Sequence, residues 1–214
     1  RSMSLKRTSS AENGRTSDVF LVVDFLNVVF RSFFAIRTLS NSQGVPTHAI
    51  HGFVQSVRRW IHELTPSHLA VVLDGEKPSR RTNLLPEYKA HRPPTPPELV
   101  RQLEIMNDLI PLLGWPVIRQ NDEEADDVAA SLALAAAASG GTVRILSNDK
   151  DLLQVVGPGI GVIRSSPRET LLVGAEWILE RWGIRPDQIE CFLALQGDAV
   201  DNIPGVPGVG EKTA

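Results

Sequence analysis

The 214-residue sequence predicts an α/β fold with a mostly parallel central sheet flanked by helices. The first observation behind this prediction is a set of short apolar runs that end in Asp or Asn, as strands buried on both faces of a parallel sheet do. The second is that longer segments with apolar residues at helical spacing separate these runs. Such alternation is typical of parallel strands joined by helical crossovers.

The first half of the chain contains two predicted strands and two predicted helices. VFLVVD (19–24) and LAVVLD (69–74) have the pattern of buried strands, and HAIHGFVQSVRRWIHEL (48–64) between them has helical spacing. Residues 98–113 repeat the helical periodicity, and Gly114 follows as a stop signal. This order predicts one strand-helix-strand crossover followed by a second helix.

The second half continues the alternation. WPVIR (115–119) and VRILSND (143–149) are predicted strands, and the alanine-rich segment 125–141 between them is a strong helix former closed by a glycine pair. The alanines predict close packing of this helix against the sheet. The remaining predictions are a short strand or hairpin near 160–172 and helices at 174–182 and 186–196.

Composition restricts the classes of protein that need to be considered. Apolar residues make up 42% and charged residues 22% of the chain, which is typical of a globular domain. No apolar run reaches the roughly 18 residues of a membrane span, so no membrane partner is expected. The single cysteine, Cys191, is expected to be a small core residue in a reducing compartment. Residues 1–18 have the composition of a flexible polar tail without a secretory signal.

One long loop, residues 75–97, interrupts the regular alternation. A loop of this length inside a compact domain is usually functional or disordered. It is strongly basic, with only Glu76 and Glu87 as acids, and Tyr88 lies within it. Its basic residues are Lys77, Arg80, Arg81, Lys89 and Arg92.

Nine carboxylates fall at predicted strand ends and helix starts. Because the carboxyl ends of parallel strands meet at one edge, we expect these side chains to converge there. Any one of them could instead be a helix cap, a turn residue or a surface charge. Asp149 and Asp151 share a face if the chain there is extended, and Asp198 and Asp201 lie one helical turn apart. The nine are Asp24, Asp74, Glu124, Asp126, Asp127, Asp149, Asp151, Asp198 and Asp201.

So many like charges in one place require neutralisation by cations. Oxygen-only clusters suit Mg²⁺ or Mn²⁺ rather than zinc, and two such ions about 4 Å apart are a common apparatus for attack of water on a phosphodiester. The chain has 25 acidic residues against 22 Lys and Arg. Because nine of the acids belong to this cluster, the remaining surface is basic, as a binder of the phosphate backbone requires.

The closing segment, GDAVDNIPGVPGVGEKTA (197–214), is rich in glycine but is not a nucleotide-binding phosphate loop. The spacing from Gly205 to Gly210 matches that loop, but Glu211 stands where the lysine must be. Together with EYKAHRPPTPPEL, DEEADDVAA and LSNDKDLLQVV, this segment resembles the structure-specific 5′ nuclease family. That family includes the 5′–3′ exonuclease domain of bacterial DNA polymerase I, its stand-alone relatives and the flap endonucleases, and the resemblance runs from Val19 to the last residue.

The resemblance implies a PIN-like (5′ nuclease) fold and a metal-dependent exonuclease or flap endonuclease of replication or repair. The nine carboxylates would hold two or more Mg²⁺ or Mn²⁺ ions, with Asp24 and Asp126 also counted as catalytic. Lys89 and Arg92 would polarise the scissile phosphate. The other implied DNA-binding residues are Arg31, Arg81, Tyr88, Gly205, Gly208, Gly210 and Lys212. Tyr88 stacking on a base and Tyr88 packing in the protein remain alternatives.

The resemblance also implies a division of the chain. Residues 19–200 would be the catalytic domain, with 75–97 as a helical arch, and 201–214 would begin a truncated helix-hairpin-helix that can bind K⁺. We expect these last residues to be poorly fixed and DNA affinity to be weak. The implied substrates are DNA with a 5′ flap, nick, gap or free 5′ end, and RNA primers on DNA. We expect a monomer located in the bacterial cytoplasm or nucleoid, or in an organelle if the source is eukaryotic.

Two other functions are consistent with part of the pattern. A DNA-structure binding module would use the same acids and bases without cleavage. A phosphatase with a strand-end aspartate as nucleophile would need a second acid two residues after Asp24, where the sequence has Leu26. That reading also leaves the basic loop and the closing segment unexplained.

Overall fold

The computed structural model of the chain describes residues 18–75, 80–166 and 169–214. Most of the predicted tail, residues 1–18, and part of the basic loop, including Lys77, lie outside the described residues. In the described chain the central sheet has six strands in the order β3-β2-β1-β4-β5-β6. The strands are β1 (Val19–Asp24), β2 (His68–Leu73), β3 (Val117–Arg119), β4 (Thr142–Leu146), β5 (Ile160–Ser165) and β6 (Thr170–Val173).

The helices lie between and after these strands. Short 3₁₀ helices cover Asp151–Val155 and Pro186–Gln188. The α-helices are α1 (Phe25–Ala35), α2 (His48–Leu64), α3 (Arg80–Leu84), α4 (Pro97–Leu112), α5 (Ala125–Ala138), α6 (Ala175–Trp182) and α7 (Ile189–Gln196).

The predicted mostly parallel α/β sheet is confirmed. β1 pairs in parallel with both β2 and β4, and only β6 runs antiparallel, as the second strand of the hairpin expected near 160–172. Successive residues of β1 face opposite sides: Leu21 and Val23 pack against α1, α2 and α4, whereas Val22 packs on the side of α5. The central strands are therefore buried on both faces, as their uninterrupted apolar sequence predicts.

Helix α5 packs against the middle of the sheet through its small side chains. Ala125, Ala129 and Ala133 are buried at intervals of four residues, and α5 contacts both β1 and β4. Alanine at these positions lets the helix backbone come close to the strands. The close packing expected from the alanines is confirmed, and the first turn of α5 contacts Asp74, which directly follows β2.

Helix α1 has no counterpart among the predicted elements. It begins immediately after β1, and Asn27 N donates to Asp24 Oδ1 at 3.4 Å, so the last residue of the strand caps the helix. Phe25, Val28 and Val29 are buried at helical spacing. The segment is rich in aromatic and β-branched residues, so it has no strong helix propensity, and burial against α2 decides its conformation.

Two further expectations are corrected, and a third, the helical arch over residues 75–97, stays a prediction. Cys191 is exposed on α7 rather than buried in the core. The chain around Asp151 is not extended, because Asp151 begins a 3₁₀ helix and its N–H donates to Asp149 Oδ1 at 3.0 Å. In the described part of the expected helical arch, only α3 is helical before α4 begins. Residues 86–91 form turns.

The segment after α7 is a series of turns attached to the domain. Asp198 and Ile203 exchange two backbone hydrogen bonds of 2.9 and 2.8 Å, which close a six-residue loop, and Val206 N donates to Leu195 O at 2.8 Å. Ala214 N donates to Gly210 O at 3.0 Å, which makes one turn at the position where a second helix was expected. That the last dozen residues are poorly fixed stays a prediction.

Candidate active site

The site is built at the edge where the parallel strands end. Asp24 is the last residue of β1, and Asp74 directly follows β2. Glu124 directly precedes α5, and Asp149 lies in the loop after β4. Because β1 pairs in parallel with both β2 and β4, these positions share one edge. The structure therefore brings together the acids that the strand-end pattern singled out.

A buried hydroxyl joins two of these residues, Asp24 through its carboxylate and Asp149 through its backbone N–H. Ser147 Oγ donates to Asp24 Oδ2 at 2.7 Å and accepts from Asp149 N at 3.0 Å. Ser147 has no exposed surface and Asp24 is 5% exposed. Burial raises the pKa of Asp24 to about 7, and the charges of Asp149 and Asp74 act in the same direction, against the opposing hydrogen bond from Ser147.

Asn27 and Asn148 hold the loop after β4 in place. Asn148 N donates to Asn27 Oδ1 at 2.8 Å, which ties this loop to the first turn of α1. The Asn148 side chain exchanges two hydrogen bonds with the backbone of Ser165 at the end of β5, at 2.7 and 2.8 Å. The loop that carries Asp149 is thus attached to elements on both sides of β4.

Asp74 connects β2 to the start of α5. Its Oδ1 accepts from Ala125 N at 2.9 Å, so Asp74 caps the helix that carries Asp126 and Asp127. The next residue, Gly75, approaches the chain at residues 120–123 so closely that a Cβ would lie 2.5 Å from Gln120 O. A glycine is required there, and this close approach fixes the position of Asp74 relative to α5.

The guanidinium of Arg81, on α3, spans three carboxylates at the start of α5. Nη1 lies 2.6 Å from Glu124 Oε2 and 3.4 Å from Asp126 Oδ2, and Nη2 lies 2.8 Å from Asp127 Oδ1. Although burial acts in the opposite direction, the charges of Asp126 and Asp127 raise the pKa of Arg81 above its ordinary value. Burial and the neighbouring Asp126 raise the pKa of Asp127.

Lys89 and Tyr88 contact the same glutamate from the turns after α3. Lys89 Nζ lies 2.6 Å from Glu124 Oε2, and the Tyr88 hydroxyl donates to that oxygen at 3.0 Å. Tyr88 is 6% exposed, and burial raises its pKa to about 12. The Tyr88 ring is therefore packed inside the protein, and of the two alternatives for this residue the structure favours packing over stacking on a base.

Arg92 completes the contact between the basic loop and the acids. Its guanidinium pairs with Asp201 Oδ1, and Lys89 N donates to the backbone oxygen of Asp201 at 2.9 Å. Lys150 Nζ lies 3.2 Å from Asp198 Oδ2. Burial acts to raise the pKa of Asp198, but a hydrogen bond from Val200 N and the contact with Lys150 hold it below the ordinary value.

The remaining acids lie within electrostatic range of one another. Burial raises the pKa of Asp151 to about 6, and the charges of Asp149, Asp126 and Asp198 contribute to the shift. Burial also raises the pKa of Asp149, together with the charges of Asp126 and Asp201. The nine acids predicted from the sequence thus form one connected cluster, which extends from Asp74 at one end to Asp198 at the other.

The donor chemistry of this cluster fits a hard divalent cation, since every side chain is a carboxylate and several are buried against like charges. Among residues 18–75, 80–166 and 169–214, no three acids, histidines or cysteines are grouped as metal ligands. Arg81 and Lys89 pair with Glu124, Arg92 pairs with Asp201, and Lys150 pairs with Asp198.

The implied DNA-binding residues outside the basic loop occupy different environments. Arg31 is half-buried on α1 and donates to Ser56 Oγ at 2.9 Å, and burial lowers its pKa. Gly205 packs against the end of α7, where a Cβ would lie 2.3 Å from Gln196 O. Gly208 has a positive φ of 81°, and Gly210 and Lys212 are exposed. The structure does not bring these residues together with the carboxylate cluster.

Two residues at the site were missed by the sequence analysis. Lys150 lies in the quoted NDKD block, but its pairing with Asp198 depends on how the segment after α7 folds back. Ser147 was read only as part of a strand end. A polar residue directly after an apolar strand and two residues before an aspartate is a signal that could have identified Ser147.

Comparison with known proteins places these features in a family. Residues 19–183 match the family model described as 5′-3′ exonuclease, N-terminal resolvase-like domain. Residues 184–214 match the model described as 5′-3′ exonuclease, C-terminal SAM fold. The two matches are contiguous, and together they cover the sheet, the carboxylate cluster and the closing segment.

The relatives include longer proteins. The chain is 42% identical over 194 residues to the thermostable DNA polymerase I of Thermus thermophilus, an alignment that covers 91% of this chain and 23% of that protein. It is 39% identical over 193 residues to the 5′-3′ exonuclease of Aquifex aeolicus, covering 90% of this chain and 66% of the relative. The chain thus spans about a quarter of the polymerase and just under two thirds of the exonuclease.

Solved structures show the same fold at lower sequence identity. T5 5′-exonuclease with bound zinc superimposes with a TM-score of 0.74 and 24% identity, over 91% of this chain and 72% of that one. The catalytic core of Rad2 in complex with a DNA substrate superimposes with a TM-score of 0.60 and 18% identity, over 91% and 58%. The mixed, mostly parallel sheet is therefore a fold that these nucleases share.

Proposed function

The chain belongs to the 5′-3′ exonuclease family, and from this premise we propose that it hydrolyses phosphodiester bonds of DNA at 5′ ends or 5′ flaps with the help of divalent cations. The observation that carries the proposal is the meeting of two opposite sets of charges. A cluster of carboxylates suited to Mg²⁺ or Mn²⁺ lies directly beneath a loop of basic side chains suited to phosphate.

The carboxylates supply the cation side of the proposed site. Seven of the acids would bind the ions directly or hold metal-bound waters, and Asp198 and Asp201 would complete the second ion region. The seven are Asp24, Asp74, Glu124, Asp126, Asp127, Asp149 and Asp151. Bound divalent ions would supply a water nucleophile at neutral pH and stabilise the leaving oxygen. Ser147 keeps Asp24 and Asp149 in a fixed relation, because one hydroxyl is hydrogen-bonded to both residues.

The basic loop supplies the phosphate side. Lys89 contacts Glu124 in the cluster, and Arg92 contacts Asp201. A phosphodiester at this edge would replace the carboxylates as the partner of the Lys89 and Arg92 side chains. These side chains would then stabilise the negative charge that develops on the phosphate. Arg81 would contact a neighbouring phosphate with its planar fork. Residues 205–212 would contact duplex phosphates, with K⁺ as a proposed ligand of that segment.

The direct test is cleavage of a 5′-labelled flap substrate in Mg²⁺ or Mn²⁺, with product sizes read on a denaturing gel. We expect short oligonucleotides that appear with Mg²⁺ or Mn²⁺ and are absent with EDTA. The Asp149→Asn variant, which should keep the fold, is the matched control. It should release no product, and product from this variant would indicate a contaminating nuclease. A purified chain that is folded but releases no product in either metal would contradict the proposal.

A second candidate function is binding of branched DNA without cleavage. The specific observation in its favour is that Arg81, Lys89, Arg92 and Lys150 are paired with acids of the cluster. Under this alternative, flap DNA would bind in Ca²⁺ and would remain uncut after transfer to Mg²⁺. Sizing the DNA after each incubation distinguishes the two functions.

A further inference from the structure

We propose that Arg81 competes with a divalent cation for Glu124, Asp126 and Asp127, so that cation binding releases the Arg81 and Lys89 side chains of the basic loop for the DNA strand. This inference rests on the proposed function in one respect only, namely that these carboxylates bind a divalent cation. It goes beyond that function because it makes cation binding and strand binding interdependent.

The first step of the argument is the position of the Arg81 guanidinium. It reaches from α3 to three acids at the start of α5, at distances of 2.6, 3.4 and 2.8 Å. An ordinary surface ion pair engages one carboxylate, whereas this one side chain neutralises the group of acids that a divalent ion would use. Its side chain is 37% exposed, so it can leave the acids without disrupting the core.

The second step is the capacity of the glutamate oxygen. Glu124 Oε2 accepts from Arg81, from Lys89 and from the Tyr88 hydroxyl, at 2.6, 2.6 and 3.0 Å. A carboxylate oxygen has about two lone-pair directions. Three donors fill them, so this oxygen can bind a cation only if at least one basic side chain moves away.

The third step is the repulsion between the competing cations. A guanidinium and a divalent ion a few ångströms apart repel each other strongly at a site with restricted access to water. When the ion binds, Arg81 and Lys89 lose their favourable position over Glu124. Arg92 remains next to Asp201, and the backbone bond from Lys89 N to Asp201 O keeps the loop attached at one point.

The consequence is a reciprocal linkage. Each ion that binds releases basic side chains for phosphate, and each phosphate that takes up those side chains releases carboxylates for the ion. Thermodynamic linkage requires that the ion strengthens DNA binding by the same factor by which DNA strengthens ion binding. The site thus has two states. In one, the basic side chains are paired with the acids, and in the other the acids bind the ion while the basic side chains are available for phosphate.

The test measures Mn²⁺ affinity without DNA, from the signal of free Mn²⁺ in electron paramagnetic resonance. Replacing Arg81 by Gln removes the competing charge, so we expect Mn²⁺ to bind more tightly by about fivefold or more. Arg81→Lys keeps the charge but loses the fork, and an intermediate affinity is expected. Arg59→Gln is the matched control, because Arg59 pairs with Glu63 within α2, and it should leave Mn²⁺ affinity unchanged.

A second readout follows the loop itself. Hydrogen exchange of the amides in residues 80–92 should become faster when Mg²⁺ is added to the parent chain, because the ion pairs of Arg81 and Lys89 are lost and only that of Arg92 remains. In Arg81→Gln the exchange should already be fast, and Mg²⁺ should change it little. Both measurements are made on chains whose circular dichroism matches that of the parent.

The outcomes separate this inference from the proposed function. If Arg81→Gln binds Mn²⁺ with the same or lower affinity than the parent, the competition is disproved, whether or not the parent cleaves flap DNA. If the parent cleaves no DNA, the proposed function fails, but tighter Mn²⁺ binding in Arg81→Gln still supports the competition. A parent chain that binds no Mn²⁺ overturns both.

Discussion

The Ser147 hydroxyl donates a 2.7 Å hydrogen bond to Asp24 Oδ2, and this bond joins the ends of the neighbouring strands β1 and β4 inside the protein. This bond and the one from Asn27 N to Asp24 Oδ1 compensate only part of the cost of a charge there, since burial raises the pKa of Asp24 from 3.8 to about 7. The ionised form of Asp24 is therefore costly unless a cation is nearby.

This cost predicts a dependence of stability on pH in EDTA. Asp24 ionises at a higher pH when folded than when unfolded, so its contribution to stability is complete below about pH 3.8 and is lost as the pH rises through 7. The loss is on the order of 4 kcal/mol. Asp24→Asn cannot ionise, so its free energy of unfolding should fall less than that of the parent between pH 4.5 and 8. Chemical denaturation at each pH measures the difference, and parallel profiles would argue against the raised pKa.

Replacing an acid at the centre of the cluster should separate binding from cleavage. Asp126→Asn and Asp149→Asn each remove one charge while keeping the shape of the side chain. We expect cleavage of a flap substrate to fall by more than about 100-fold, with DNA affinity maintained or increased because a charge that repels phosphate is gone. Single-turnover rates and filter binding measure the two effects. Full activity in either variant would show that the residue has been wrongly assigned to the site.

Lys89 should contribute more to the chemical step than to affinity. Lys89→Ala is expected to lower the single-turnover rate by about 100-fold at saturating DNA, whereas the exposed Lys212→Ala should weaken binding and leave that rate unchanged. Lys89 has a φ of +58°, a conformation that costs an L-residue energy and suits glycine. Lys89→Gly therefore removes the cation without this strain, and it should show the same loss of rate. If the rate is unchanged in both Lys89 variants, Lys89 has no role in the chemical step.

Tyr88 should act through its hydroxyl and not through its ring face. The hydroxyl donates to Glu124 at 3.0 Å, and the ring is buried. Tyr88→Phe leaves that acceptor with one donor fewer, so we expect a loss of about 1 kcal/mol of stability in a urea titration. Affinity for single-stranded DNA should not change. A large loss of single-strand affinity would instead favour the stacking role.

The two glycines at 205 and 210 should differ sharply in their tolerance of a side chain. A Cβ on Gly205 would lie 2.3 Å from Gln196 O, so Gly205→Ala should destabilise the chain by about 2 kcal/mol or more. No described atom lies within 4 Å of a Cβ built on Gly210. Gly210→Ala should therefore stay within about 0.5 kcal/mol of the parent. Equal melting temperatures for both variants would show that the packing of Gly205 against α7 is wrong.

The sequence predicted the strands and the acids well because both are local patterns that parallel topology turns into spatial proximity. Asp24 and Asp74 follow apolar strands, and strands that pair in parallel bring such positions together whatever lies between them. Helix α1 was missed because its aromatic and β-branched residues carry no clear helical preference, and its burial against α2 depends on tertiary structure. The exposed position of Cys191 was missed for the same reason.

The partners within the site could not be predicted, because they depend on contacts between distant parts of the chain. Arg81 reaches acids more than forty positions away, and Ser147 reaches Asp24 from the end of another strand. Whether Tyr88 faces solvent or Glu124 is decided by how the turns after α3 lie on the sheet edge. Residue type and spacing indicated a cation site and a phosphate site, but not that the two would neutralise each other.

The two backbone hydrogen bonds between Asp198 and Ile203 give the loop around Asp201 a mechanical role. They make residues 198–203 one stiff unit, and the bond from Val206 N to Leu195 O fastens the following residues to the end of α7. A displacement of the chain beyond Val206 would therefore move Asp198 and Asp201 together. The position of Asp198 and Asp201 is thereby coupled to the end of α7 through the backbone, independently of their side-chain partners.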